Sequence, residues 1–222
     1  MTELDLRKSL IHACQQMNAL GINQGTSGNI SIRHGDTMLI SPSATPYHLI
    51  GPDMVAAMPI DGDYGSWTGP KKPSTEWRFH LDILRARPDV HAIVHSHPTF
   101  ATTLAIARKP IEACHYMVAA FGSTDIRCAP YATFGTKELS EYALAALQDR
   151  MGCLLANHGM IALGETLDKA MWRAVELETI ARQYYYALLL GQPHILSAAE
   201  IDATLDQFAG YGIQDDAPAS AA

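Results

Sequence analysis

Basic residues are scarce in this chain. Lys and Arg number 16 against 23 Asp and Glu, a formal net charge of -7 over 222 residues, with a pI near 5.7. No basic face is available to hold a nucleic-acid backbone. Long apolar runs are missing as well, none approaching the ~20 residues that a membrane helix needs. The opening stretch MTELDLRKSL has no apolar core of a secretion signal. Cysteine is sparse: Cys14, Cys114, Cys128 and Cys153 stand singly, without a CxxC pair. That pattern suits a reduced, cytoplasmic chain better than a disulfide scaffold. No Walker A or GxGxxG fingerprint occurs, no Ser/His/Asp or Cys/His triad is suggested by spacing, and no internal repeat or linker divides the chain.

What is present is a substantial apolar complement. Hydrophobic residues make up 48% and charged residues only 18%, and the mean hydropathy is -0.01. This composition supports one sizeable core and excludes disorder. Periodicity predicts an amphipathic helix over 6–20 with Gly21 at its end, a hairpin of strands at 30–33 and 38–40, and a strand at 55–60. A helix follows from Pro73-Ser74-Thr75 to about residue 87, where Pro88 stops it. Residues 90–97 read as a strand, 99–107 as a helix, and 136–150 as a helix capped by Thr136. The apolar runs 153–156 and 160–163 flank a hairpin-type turn, with Gly159 supplying backbone freedom. A long helix at 166–190 and a short one at 197–208 complete one α/β domain. Trp172, Leu177, Ile180 and Tyr184 to Tyr186 form a helix face suited to a core or a subunit contact.

Ten histidines against 16 Lys and Arg is a high ratio, and their placement directs attention to chemistry. His95 and His97 are two apart in a strand, so both project from one face with Cα atoms about 6.5–7 Å apart. Two imidazoles so placed can converge on one metal ion, or simply be hydrogen-bonded at a strand end. His91 shares the face four residues deeper and reads as structural. His158 sits in a tight turn and could complete a three-histidine set. Glu76 falls at a helix start, where a carboxylate is stabilised by the helix dipole alone, by about 0.3–1 kcal/mol. Alternatively, Ser74, Thr75 and the free N–H groups there bind an anion, with Glu76 facing the same site. GTSGN at 25–29 and SPS at 41–43 are ordinary loops or phosphate nests.

The order of these motifs is more specific than any one of them. GTSGN, SPS, PSTE at 73–76, HSHP at 95–98, HYM at 115–117 and NHG at 157–159 follow one another over 25–159. Together with HYMVAA at 115–120 and CAPYATFGTKELSE at 128–141, they resemble the zinc-dependent class II aldolase/adducin family. The closest likeness is to the branch that cleaves fuculose 1-phosphate. The resemblance covers 1–212 as one domain, leaving a small, flexible tail at 213–222. It implies a three-layer α/β/α sandwich with a central, mostly antiparallel sheet. By resemblance, His95, His97 and His158 bind one Zn2+ per subunit, or another divalent ion, with Glu76 as a fourth ligand and the proton shuttle. Gly28, Asn29, Ser43, Ala44, Ser74 and Thr75 would line a phosphate site, and Tyr211 would border the aldehyde end. Tyr116, reaching in from a neighbouring subunit of a homotetramer, would exchange a proton with the aldehyde oxygen.

The implied reaction is reversible cleavage of a ketose 1-phosphate into dihydroxyacetone phosphate and a short aldehyde, with a phosphorylated sugar as partner and neither nucleic acid nor membrane. Two departures mark this chain. Ala44 stands where the fuculose branch has glycine, and Ile213-Gln214 follow Tyr211-Gly212 where that branch has an arginine. The second implies an aldehyde less polar than lactaldehyde, such as that from a 5-deoxy- or 5-methylthio-pentulose 1-phosphate. Three readings compete. A pentulose-phosphate 4-epimerase would carry aspartate at both Met117 and Glu76, a methylthioribulose-phosphate dehydratase would not share the Tyr116 context, and an adducin-like interaction module would not need to keep three histidines and Glu76.

Overall fold

The computed structural model describes residues 1–208; the expectations for Tyr211 and for the tail at 213–222 concern positions outside them. Helix α1 (Glu3–Ala19) leads into the hairpin β1 (Asn29–His34) and β2 (Thr37–Ile40), followed by β3 (Ala56–Pro59), α2 (Trp77–Ala86), β4 (Ala92–Ser96) and α3 (Thr99–Ile106). Two-residue strands β5 (Ile111–Glu112), β6 (Asp125–Ile126) and β7 (Cys128–Ala129) precede α4 (Lys137–Ala146), β8 (Gly152–Leu155), β9 (Gly159–Gly164), α5 (Leu167–Leu190) and α6 (Ala198–Phe208). Helix α1 begins three residues earlier than its apolar periodicity indicates. Thr2 and Asp5 form a reciprocal capping box that supplies the missing first turn.

Seven strands build the central sheet in the order β3-β2-β1-β4-β9-β8-β7, and β5 pairs separately with β6. Every neighbouring pair in the large sheet is antiparallel except β7 with β8. Side chains alternate between the two faces of each strand, and both faces are covered. Ile30, Ile32, Val94 and Met160 pack toward one core with residues of α1, α3 and α5. Ile93, Ile161, Met38 and Met58 pack toward a second core with residues of α2 and α4. The architecture is therefore the expected α/β/α sandwich, and β1, β4 and β9 are buried because they lie at its centre.

The long helix α5 has two roles. Leu177, Ile180 and Tyr184 are buried against the sheet, whereas Trp172 and Tyr186 are partly exposed. From the same helix, the Glu178 carboxylate accepts hydrogen bonds from the backbone N–H groups of Phe100 (2.9 Å) and Ala101 (2.8 Å). Helix α3 has Pro98 at its N-cap and no side-chain cap of its own. Glu178 thus satisfies two of the orphan donors that every helix start presents, directly after His97. Replacing Glu178 with Ala is expected to cost about 1–2 kcal/mol, read as a lower urea midpoint with an unchanged slope; an unaltered midpoint would show that this cap is inert.

Candidate metal centre and adjoining anion cradle

Strand register assembles the site. Asn29 of β1 lies opposite His95 of β4, and Ser96 lies opposite Met160 of β9. His95 therefore faces the α2 side, where its ring meets Phe79 edge-on at 5.3 Å between centroids. His97 stands one residue beyond the end of β4, and the turn carrying His158 joins β8 to β9 beside it. The three imidazoles form a near-equilateral triangle, with centroid separations of 4.9, 4.8 and 4.9 Å. His91 is not part of this cluster. It is exposed, and only its backbone joins the sheet, through bonds with Arg33 and Gly164.

Two local expectations need correction. Gly159 does not supply left-handed backbone at the turn; Asn157 does, with φ of 55°. Gly159 is needed for close approach instead, because a Cβ there would lie 2.5 Å from both His97 Cδ2 and the Ser96 carbonyl. Glu76 is not within the first turn of α2 but is the N-cap residue itself, and its side chain makes no capping bond. The carboxylate turns toward the histidines, with Oε2 3.1 Å from His95 Nε2 and Oε1 3.1 Å from His158 Nε2. A helix-end role therefore does not account for it.

The electrostatics of this cluster ask for a cation. The Met160 carbonyl can only accept, so the 2.9 Å contact to His95 Nδ1 places the ring proton on Nδ1. His95 Nε2 then presents a lone pair toward His97 Nε2 at 3.0 Å and toward Glu76 Oε2. Glu76 is 5% exposed, and its Oε1 is a buried oxygen with no hydrogen-bond donor. Burial alone would raise the Glu76 carboxyl, but the adjoining imidazoles, His95 first and then His158, outweigh it and hold the group well below the usual carboxylate range. Burial, then His95 and His158, lowers the His97 imidazole to about 3. One ligand atom from each of Glu76, His95, His97 and His158 lies within 4.8 Å of all the others. Neutral imidazoles and one carboxylate are the donors that Zn2+ and similar divalent ions take, so the residues fit the implied metal.

Beside this cluster lies a polar cradle. Pro42 and Pro73 form an isolated bridge, with Ser43 N–H donating to the Lys72 carbonyl and Ser74 N–H to the Ser41 carbonyl. This pairing draws the SPS and PST loops together over the GTSGN segment. A cavity of about 230 Å³ results, and all of Gly28, Asn29, Ser43, Ala44, Ser74 and Thr75 line it. Ala44 adopts φ of 47°, a conformation that costs a non-glycine residue roughly 1–2 kcal/mol, so retaining the loop shape here is achieved against backbone strain. The Asn29 amide is already engaged at both ends, by Glu76 and by His80.

A second cavity of about 350 Å³ borders Glu76, His97 and His158 and shares Ser27 and Thr75 with the cradle. Tyr131 and Phe134 line it with 53% and 61% of their surface exposed. Neither aromatic was identified as a site residue from the sequence; two large rings in a loop with Pro130 and Gly135 were the available signal. Tyr116 lines neither cavity. Its half-exposed ring packs on His115 and Phe208. A larger apolar cavity of about 450 Å³ lies between α5, α6 and the turn at Tyr116–Phe121. It contains none of the four clustered ligands, so donor chemistry and not size locates the site.

The family model described as Class II Aldolase and Adducin N-terminal domain matches residues 8–185. A 5-methylthioribulose-1-phosphate/5-deoxyribulose-1-phosphate aldolase of Rhodospirillum rubrum is 50% identical over 211 residues, 95% of this chain and 94% of that protein. An L-fuculose phosphate aldolase of Escherichia coli is 44% identical over 210 residues, 94% and 96% of the two chains. A solved L-fuculose 1-phosphate aldolase superposes with a TM-score of 0.88 at 36% identity, covering 92% of this chain and 96% of its own.

Two outcomes follow for the site. Gly159→Ala is expected to cost at least about 1–3 kcal/mol through overpacking and to lower metal content per chain, measured by elemental analysis; full metal content would show that His97 yields freely. Acid should unfold the metal-free chain. His80, fully buried, has its imidazole lowered to about 3 by burial and His95, so the folded state keeps it neutral while the unfolded state protonates near 6.5. Stability is present above that value and is lost as pH falls toward 3, by up to ~1.4 kcal/mol per unit. A urea midpoint that does not change between pH 7 and 4 would contradict this.

Proposed function

We propose, since the chain belongs to the class II aldolase and adducin family, that Glu76, His95, His97 and His158 hold a divalent ion beside a phosphate cradle in an enzyme of carbon–carbon cleavage. It is a lyase, an aldolase that reversibly cleaves a ketose 1-phosphate into dihydroxyacetone phosphate and a short aldehyde. The observation that carries the site assignment is the convergence of four ligand atoms within 4.8 Å, from two buried and two half-buried residues, next to a cradle of serine and threonine hydroxyls.

Zinc is the preferred ion, given three imidazoles and one carboxylate, and when bound it supplies the electrophile that polarises the ketose oxygens. The chain's own groups do the rest. Ser43, Ser74 and Thr75 hydroxyls, with backbone N–H groups around Gly28 and Ala44, receive the phosphate in a protein of net charge -7. Glu76 moves the proton at the carbon of the dihydroxyacetone phosphate half, because it is the carboxylate that borders both cavities, with its Oε1 outside the Asn29 hydrogen bond. Tyr116 protonates or deprotonates the aldehyde oxygen from a neighbouring subunit. Its half exposure and its position outside both cavities support a role in trans, and a homotetramer is the proposed assembly. Met117, which an epimerase would replace with a proton-transferring aspartate, is buried in the core.

A 5-deoxy- or 5-methylthio-pentulose 1-phosphate is the preferred substrate. It is supported by the two aromatic rings lining the cavity of about 350 Å³ beside the cluster and by the Rhodospirillum relative, which at 50% identity is more similar than the Escherichia coli fuculose phosphate aldolase at 44%. A cytoplasmic location is supported by four free cysteines. No helix among the described residues is long and apolar enough to cross a membrane.

The test is a panel of ketose 1-phosphates assayed for dihydroxyacetone phosphate, with and without chelator. Cleavage should require the metal and favour the deoxy and methylthio sugars; turnover confined to fuculose 1-phosphate would overturn the substrate assignment. In the same assay Glu76→Gln should keep much of its metal and lose about 10²–10⁴-fold in kcat. Near-full activity would remove Glu76 as the shuttle.

A further inference from the structure

Behind Glu76 runs a line of buried polar side chains. Ser31 and His80 are fully buried and Asn29 is 4% exposed. Ser31 Oγ lies 2.8 Å from His80 Nδ1, His80 Nε2 lies 2.5 Å from Asn29 Oδ1, and Asn29 Nδ2 lies 3.0 Å from Glu76 Oε2. Register makes the line: Asn29 and Ser31 alternate onto one face of β1, and α2 lays His80 over them, one helical turn after Glu76.

The direction of each bond is fixed from one end. A carboxylate only accepts, so Asn29 must turn its NH2 toward Glu76. Its oxygen then faces His80, and an amide oxygen also only accepts, so His80 Nε2 carries the ring proton. Nδ1 is left with a lone pair, which accepts a hydrogen bond from the Ser31 hydroxyl. Each donor in this sequence has one fitting acceptor. If His80 could not donate, nothing else among the hydrogen bonds of the described residues would hold Asn29 Oδ1, and the amide could flip to set its oxygen against Glu76 Oε2.

We propose that His80 is a positioning residue for carbon–carbon cleavage: its Nε2–H locks the Asn29 amide, which anchors Glu76 Oε2 and leaves Oε1 as the oxygen that moves the proton. The inference rests on Glu76 being the shuttle. His80 touches neither cavity and acts only through Asn29, as outer-shell partners of a catalytic carboxylate do.

A buried histidine stacked on Phe79 at 4.6 Å could instead be simple packing, and two variants separate the roles. His80→Gln extends an N–H donor to about the position of Nε2; His80→Asn places one nearer Nδ1. Both lose the ring stack alike, so their thermal midpoints should fall together, with metal content per chain equal. Their kcat values should part: His80→Gln retains most of kcat, and His80→Asn loses about 10–100-fold with KM within about 3-fold. In an Asn29→Leu background the difference should vanish, as for any pair acting in series. Equal kcat in the two His80 variants, whether high or low, overturns the proposal. If His80→Asn does not fold, His80→Met replaces it: an unbranched side chain of glutamine's length without an N–H donor, whose kcat equal to that of His80→Gln overturns the proposal. Glu76→Gln in the same assay keeps the two failures apart, since an active Glu76→Gln removes the shuttle itself and leaves the His80 comparison without its premise.

Discussion

The site depends on an arrangement of electron pairs that would be unfavourable without a cation. His95 Nε2 lies 3.0 Å from His97 Nε2 and 3.1 Å from Glu76 Oε2, His158 Nε2 lies 3.1 Å from Glu76 Oε1, and the Met160 carbonyl keeps the His95 ring proton on the far side. Acceptors crowded in this way inside a low-dielectric interior repel unless a proton or a metal ion lies between them. The sandwich imposes the crowding. β1, β4 and β9 are covered on both faces, so the strand ends cannot drift apart, and Gly159 lets the two chain segments touch.

From that constraint the neighbouring features acquire roles. The N-cap position of α2 releases the Glu76 side chain from helix duty and aims it at the cluster, and Asn29 anchors it from the adjacent strand. The same helix start brings Ser74 and Thr75 to the loop carrying Ser43 and Ala44, so the anion cradle and the metal ligands share one wall. Helix α3 begins immediately after His97, and its first N–H groups are held by Glu178 from α5, tying the outer layer to the placement of a ligand. A net charge of -7 is compatible with a phosphorylated substrate because the proposed binding groups are local dipoles and hydroxyls, not surface lysines.

Much of this was legible in residue order. Helices and strands were recovered because apolar periodicity is a local property, and the three histidines and Glu76 were singled out by motif order and family resemblance. Boundaries were less legible: Thr2 and Asp5 extend α1 by a capping box, and Glu76 lies outside α2. The reason for Gly159 was misread, since a glycine's need for close approach depends on His97 and Ser96, far away in sequence. Tyr131, Phe134 and His80 were missed as site residues for the same reason. Nothing in a loop or a helix core identifies which cavity or which amide it will meet.

The sequence by itself determined an α/β class and, through motif order and family resemblance, the identity of four candidate ligands, because periodicity and motif order are carried by neighbouring residues. Only the tertiary structure decided which lone pairs confront one another, which oxygen of Glu76 the Asn29 amide holds, and that Ser31, His80 and Asn29 stand in line behind it. Those are matters of strand register and of helix placement over a sheet. A shift of one residue in β1 against β4 would turn Asn29 and Ser31 to the opposite face, leaving the composition unchanged and the site unmade.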